Sequence, residues 1–357
     1  MLKLYTYSLP FKSPFKTADL VFKNREGLIL VFEFDGITAF GEIAPLPGFS
    51  NFELPELIKI VQINKSAIEK ALIEDEFEQF SYVLNQIHNA PSLRFGLDTL
   101  FHDYKSKKAG LTLADFLFKK DWSPTVESNG TLGASDYEVN ILRAKKLVEQ
   151  GFNTLKIKVG IDFEKEFEFL VKLRELYPDI KLRIDANQSW DFKQAVKNLK
   201  RFETLDLEYC EEPLLSSKSN QLSRLKEQTN INLAADESFR NKTDAKRLIQ
   251  QNAVNIFILK PMMFGSFSEI NVTKQLANSH YNDVIFTTSL ESTIGRTMTA
   301  ILASGLGSKN YAHGLATESI FSYNLGTTQE INSGSFQIPE KSGLGIDLNF
   351  NHLEEII

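Results

Sequence analysis

The stretch Thr154–Gly160 reads Thr-Leu-Lys-Ile-Lys-Val-Gly, with lysines and apolar residues alternating. Alternation predicts a strand, and residues two apart on a strand project to the same face, so Lys156 and Lys158 share one. Like charges on one strand face repel unless something nearby needs them. Acids recur at the ends of later strand-like runs: Asp185 in R-I-D-A-N, Glu211 in C-E-E-P and Asp236 in A-A-D-E-S. A third lysine, Lys260, ends the run I-F-I-L-K-P. The rest of the chain reads as a frame that brings these residues together.

The spacing supports that reading. From Lys158 the steps to Asp185, Glu211, Asp236 and Lys260 are 27, 26, 25 and 24 residues. Each step fits one strand, one helix and two short loops. The candidate strands are Asn129–Gly133, Leu155–Val159, Leu182–Asp185, Leu207–Glu211, Leu233–Asp236, Ile256–Lys260, Val284–Ser289 and Tyr311–Leu315. Asp162 and Asp191 are expected N-caps, and Ser135-x-x-Glu138 and Ser266-x-x-Glu269 expected capping boxes. Eight βα-like units point to a barrel, in which residues at the C-terminal strand ends face one mouth. The rival, an open doubly wound sheet, binds at a Gly-rich first turn. No G-x-G-x-x-G follows a first strand, and Gly305-Leu306-Gly307 reads as a helix stop.

Residues 1–50 read as β structure. Met1–Tyr7 looks like an edge strand, Leu28–Phe34 and Ile37–Ile43 flank the Asp35-Gly36 hairpin signal, and Gly41–Ser50 is a loop fixed by two prolines. Its apolar side chains either line a pocket or pack on their own domain. Residues 54–110 read as helices, with Gly110 as a stop. After Gly326 the alternation ends, and Gly334–Ile338 and Ile346–Asn349 read as short strands returning to the first domain. The expected architecture is α/β: an α+β capping domain over 1–120, completed by 327–357, and a barrel over 121–326.

Composition narrows the function. With 42% hydrophobic and 24% charged residues the chain fits a soluble globular protein. A net charge of −6 with scattered basic residues argues against nucleic acid. No run of about 18 apolar residues predicts a membrane span. The single cysteine, Cys210, allows no internal disulfide and suits the cytoplasm.

Three carboxylates converging from successive strands would repel one another, and a divalent cation resolves that. Oxygen ligands without His or Cys favour Mg²⁺ or Mn²⁺. The bland reading is that each acid caps a helix or pairs on the surface; near-equal spacing beside strand-end lysines argues against it. Lysine is the natural partner base, because a neighbouring dication, a second ammonium and desolvation all lower its pKa. Lys156 would act so on Lys158, and Lys260 would lie across the mouth. The combination suggests proton abstraction α to the carboxylate of a small molecule, with the ene-diolate stabilised by the metal.

At these residues the sequence resembles the enolase superfamily, for which a lysine base and Mg²⁺ are already known chemistry. Lys156-Ile157-Lys158 is similar to its second-strand K-x-K motif. Asp185-Ala186-Asn187, Glu211-Glu212-Pro213, Asp236-Glu237-Ser238 and Lys260-Pro261 are similar to the motifs of the next four strands. The resemblance implies a modified (β/α)₇β TIM-like barrel with a cap. It makes Asp185, Glu211 and Asp236 the metal ligands, with Glu212 and Glu237 pointing elsewhere. The lysine pattern resembles the muconate-lactonizing-like subgroup. Within it, Gly41–Ser50, Thr288-Ser289-Leu290-Glu291-Ser292 and His313-Gly314-Leu315-Ala316-Thr317 look most like o-succinylbenzoate synthases. Dipeptide epimerases typically carry Asp-x-Asp on the last strand, where this chain has Gly314-Leu315-Ala316.

The resemblance implies loss of water from 2-succinyl-6-hydroxy-2,4-cyclohexadiene-1-carboxylate to give 2-succinylbenzoate, a step of menaquinone synthesis. Lys158 would take the proton and return it to the departing hydroxyl, and Lys260 would stabilise the anion from the other face. Ser289 and Gly314 are candidates for holding the succinyl carboxylate. Arg183 is a third candidate contact, or a barrel-interior charge paired elsewhere. Cys210 and His313 read as packing residues, and His88, His102, His280 and His352 lack ligand spacing. Two alternatives stand: an N-succinylamino acid racemase or dipeptide epimerase on the same fold, and a non-catalytic barrel that would show no Mg²⁺ binding.

Overall fold

The computed structural model describes residues 1–16, 21–74, 77–87, 89–133, 137–327 and 330–357; His88 and Ser135 of the first expected capping box lie outside them. The chain opens with β1 (Leu2–Lys16), β2 (Val21–Phe34) and β3 (Ile37–Ile43), all antiparallel. Asp35 and Gly36 turn the hairpin with φ of +51° and +74°, the left-handed pair that a two-residue hairpin needs. Four helices follow: α1 (Leu54–Ile73), α2 (Phe77–Gln86), α3 (Pro91–Lys108) and α4 (Leu113–Phe118).

β2 is apolar on both faces for a reason. Leu28, Leu30 and Phe32 pack with Leu57, Val61 and Leu97 of the helices. Ile29 and Val31 join the larger core that extends into the barrel. α3 lies against β3 at very short range. A Cβ on Gly41 would stand 2.1 Å from the Gly96 carbonyl oxygen, so only hydrogen fits there.

β4 (Thr125–Glu127) leads into the barrel, which begins with β5 (Gly130–Leu132) and α5 (Tyr137–Glu149). It continues through β6 (Thr154–Lys158), α6 (Phe163–Leu176), β7 (Lys181–Asp185), α7 (Phe192–Phe202), β8 (Leu207–Glu211) and α8 (Leu222–Lys226). β9 (Leu233–Ala235), α9 (Lys242–Gln250), β10 (Ile256–Leu259), α10 (Pro261–Phe264), α11 (Phe267–Asn278), β11 (Asp283–Phe286) and α12 (Thr293–Leu306) complete it. Asp162, Asp191 and Ser266 accept backbone N–H bonds at the starts of α6, α7 and α11 as expected, although the Glu269 carboxylate pairs with Arg94.

Strands β5 to β11 form one parallel sheet in chain order. The expected eighth strand, Tyr311–Leu315, shrinks to two bridges, Ser128 with His313 and Thr287 with Gly314. Those bridges join the two ends of the sheet and close the ring. The side chains divide by the period of two. Leu155, Ile157, Leu182, Ile184, Cys210, Leu233, Ala235, Phe257 and Leu259 belong to the core shared with the helices. Tyr209, Ala234, Ile256, Ile258 and Ile285 form a separate cluster inside the ring. Lys156, Lys158, Asp185, Glu211, Asp236 and Lys260 are in phase with this inner set.

The C-terminal expectations need correction. β13 (Ser335–Gln337), inside the expected strand Gly334–Ile338, pairs with β12 (Ile331–Asn332) and β4, not with the N-terminal sheet. Ile346–Asn349 makes only one bridge, Leu348 to Gly326. The segment that joins the first sheet is β14 (Leu353–Glu355), which pairs outside β1. The N-terminal strand is therefore interior, and the edge belongs to a short, doubly acidic segment with no strand signal of its own. The unpaired backbone of β1 organises it.

Candidate active site

Parallel pairing sets Lys158 opposite Asp185 and Asp185 opposite Glu211, so three charged side chains arise from one level of the ring. Lys156 starts one layer below and reaches up. Its Nζ donates to Glu211 Oε1 at 3.0 Å and Oε2 at 3.1 Å, and lies 3.3 Å from Asp185 Oδ2. Lys260 Nζ meets Asp236 at 2.6 Å. The Lys158 side chain makes no hydrogen bond or ion pair with any described residue.

Burial strains this cluster of charge. Burial and the Asp185 carboxylate push Glu211 up to about 8, against the pull of Lys156. Burial pulls the Lys156 ammonium down, but Glu211 and Asp185 outweigh it and hold it well above its usual range. Lys260 is likewise lowered by burial and raised more by Asp236 and Glu237. Both rises have one cause: each ammonium is the nearest counter-ion of a buried carboxylate. Among the described residues no three His, Cys, Asp or Glu side chains form a metal-ligating group in this structure. Asp185 and Glu211 meet on one ammonium and Asp236 on another. Donor chemistry still fits a hard dication, since all three are buried carboxylates and only oxygen atoms face the lysines.

The neighbouring acids differ from each other. Glu212 turns away, with φ +37°, and its Oε2 accepts from Asp236 N at 2.8 Å and Ser238 Oγ at 3.0 Å, fixing the end of β9. Glu237 stays within the field of the site. It accepts from Asn187 Nδ2 at 3.3 Å, and burial and Asp236 push it up to about 8.

Arg183 takes the second of its two expected roles. It is fully buried inside the ring, donating to Glu208 Oε2 at 2.6 Å and the Ala312 carbonyl at 2.8 Å, with its guanidinium over Tyr209 and Tyr311. It is the paired interior charge, one layer beneath the mouth. His313 Nδ1 accepts from Phe286 N at 2.9 Å, and burial with Arg183 lowers the imidazole to about 3, so it is a neutral packing residue. Ser289 is buried, and its Oγ lacks a partner among the described residues. Gly314 packs so closely on Thr287 that a Cβ would lie 2.1 Å from Oγ1.

The Gly41–Ser50 loop does reach the site. The Phe49 ring lies 5.7 Å from Lys260 Nζ and 5.2 Å from the Arg240 guanidinium. What sequence reasoning missed is how the loop is held. Glu42, fully buried, accepts from Tyr7 Oη at 2.6 Å and from Ser292 N, Ser292 Oγ and Gly295 N at 2.7 Å each. The only sequence signal was an acid inside an apolar strand. A separate cleft of about 490 Å³ opens between β3, the end of α3 and residues 341–350; its lysines, Lys107 and Lys341, are paired with Asp103 and Asp347.

No helix among the described residues is long and apolar enough to cross a membrane. The family model for enolase C-terminal domain-like proteins matches residues 141–352, and that for the MenC N-terminal domain matches residues 1–102. A hydrophobic dipeptide epimerase of Enterococcus faecalis is 29% identical over 83% of this chain and 84% of its own. The o-succinylbenzoate synthase of Bacillus subtilis is 23% identical over 98% and 94%. The crystal structure of a dipeptide epimerase from Cytophaga hutchinsonii, complexed with Mg and the dipeptide D-Ala-L-Val, superposes with a TM-score of 0.86. It is 25% identical and covers 99% of this chain and 98% of that one. Capped barrel, strand-end charges and a domain match over more than half its length agree: this chain belongs to the enolase superfamily, in the subgroup of mandelate racemase and muconate-lactonizing enzyme.

Proposed function

We propose that the barrel mouth removes a proton α to a carboxylate, and that the reaction is dehydration of 2-succinyl-6-hydroxy-2,4-cyclohexadiene-1-carboxylate to 2-succinylbenzoate. One observation carries the choice. The ring-closing segment Gly314-Leu315-Ala316 presents no carboxylate to a substrate ammonium, and the next acid, Glu318, is paired with Arg296. A dipeptide would leave its charged amine without a partner, whereas a dicarboxylate needs none.

In this reading Lys158, whose side chain has no partner among the described residues, takes the proton and returns it to the departing hydroxyl on the same face. Lys260, four strands away in the sheet, covers the opposite face with its positive charge. Ser289 Oγ is available to hold the succinyl carboxylate, beside the bare backbone at Gly314. Asp185, Glu211 and Asp236 would hold Mg²⁺ or Mn²⁺, which supplies positive charge at the substrate carboxylate. Lys156 and Lys260 would then have to yield their present contacts with those acids, which long flexible side chains allow.

A second reading is epimerisation, favoured by the dipeptide epimerases among the similar proteins and by lysines on two faces of the mouth. One experiment separates them. The protein is incubated with the cyclohexadiene acid with and without EDTA, following aromatic absorbance. In parallel, L-Ala-L-Glu and N-succinylamino acids are incubated in D₂O and Cα deuterium is measured. EDTA-sensitive aromatisation supports the synthase; exchange into dipeptide or N-succinylamino acid without aromatisation replaces it by the second reading.

A further inference from the structure

We propose that Arg25 is a positioning residue, clamping the cap loop 44–50 to the Ser289–Leu290 turn and so setting the wall against which the substrate binds. This rests on the reading of the mouth as the substrate pocket. Arg25 lies on β2 and is 3% exposed. Among the described residues its guanidinium donates only to carbonyls, and to both sides of the mouth. On the cap it reaches Ala44 O at 2.5 Å, Pro45 O at 2.8 Å and Glu26 O at 3.0 Å. On the barrel it reaches Leu290 O at 3.2 Å and Ser289 O at 3.5 Å.

Each side needs holding. From Pro45 the loop runs on to Phe49, which covers Lys260. Leu290 sits at φ +64°, a left-handed conformation that a residue with a Cβ adopts only under restraint. The turn then presents Ser289 Oγ, buried and without a partner among the described residues. A lysine cannot serve here, because one ammonium cannot span carbonyls that a planar fork reaches in two directions.

The catalytic candidates stand on barrel strands that Arg25 does not touch, so its loss should act on binding. For Arg25→Lys we expect KM to rise about tenfold or more, with kcat within about threefold of wild type. If Arg25 acts through the loop, adding Arg25→Lys to Phe49→Ala should raise KM far less than it does alone. A readout independent of the reaction is amide exchange at Phe49 and Ser50, whose N–H groups bond to Leu46 O at 3.0 and 2.9 Å. It should quicken in Arg25→Lys, and in the wild type it should be slow, which needs no variant. Unchanged KM, additive KM effects, or wild-type exchange as fast as in an unstructured loop would each overturn the clamp. If the wild type turns over none of the substrates above, the functional reading falls, while the exchange comparison still decides whether Arg25 clamps the loop.

Discussion

Lys156 and Lys158 share a strand face yet differ in partnership. Lys156 lies between two carboxylates, and Lys158 has no partner among the described residues. Lys158→Met should therefore lower α-proton removal about 10³-fold while moving the thermal midpoint by no more than about 2 °C. Solvent-deuterium exchange and calorimetry check both halves, and retained exchange would remove Lys158 from the base role. His313 gives a prediction in pH. The fold holds it neutral down to about 3, whereas an unfolded histidine takes a proton below about 6.5. Between those values the unfolded chain binds the extra proton, so stability present above 6.5 is lost as pH falls. The loss should reach roughly 3 kcal/mol by pH 4. His313→Asn keeps an acceptor for Phe286 N and cannot protonate there. Urea unfolding at pH 7 and pH 4 should show a correspondingly smaller acid loss in the variant.

At the scale of elements, short signals set the barrel's repeat. Asp191 accepts from Gln194 N at 2.8 Å while Gln194 Oε1 accepts from Asp191 N at 3.0 Å, a complete capping box at the start of α7. Asp191→Ala should cost about 1 kcal/mol in urea unfolding, with kcat/KM unchanged. A change in kcat/KM would tie that cap to the mouth. The strands were legible for a related reason: alternation within Leu155–Lys158 and Leu182–Asp185 sends apolar residues outward and charge inward, and both requirements appear in the sequence. The ring-closing segment was less legible, since its pairing is one bridge on each side and depends on where β5 and β11 end.

At the scale of the molecule, the two chain ends share one sheet. Leu4 donates to Ile357 O at 3.2 Å, and Ile356 donates to Leu4 O at 2.9 Å. Tyr5 Oη donates to Glu355 Oε2 at 2.6 Å. Removing residues 353–357 would leave the β1 backbone open as a pairing edge. Such a truncation should lower the thermal midpoint and promote association, seen by calorimetry and light scattering. An unchanged midpoint and a monodisperse sample would show that β1 does not need its neighbour.

By itself the sequence determined the repeat of strand and helix and the inward phase of Lys156, Lys158, Asp185, Glu211, Asp236 and Lys260. Period and capping are local, so they can be read from neighbours along the chain. Only the tertiary structure decided which lysine meets which acid, that Arg183 is enclosed beneath the site, and that Glu42 and Arg25 bind the cap loop to the seventh-strand turn. Those partners lie tens to hundreds of residues apart. Their hydrogen bonds depend on side-chain reach and on backbone carbonyls, which carry no residue-specific signature.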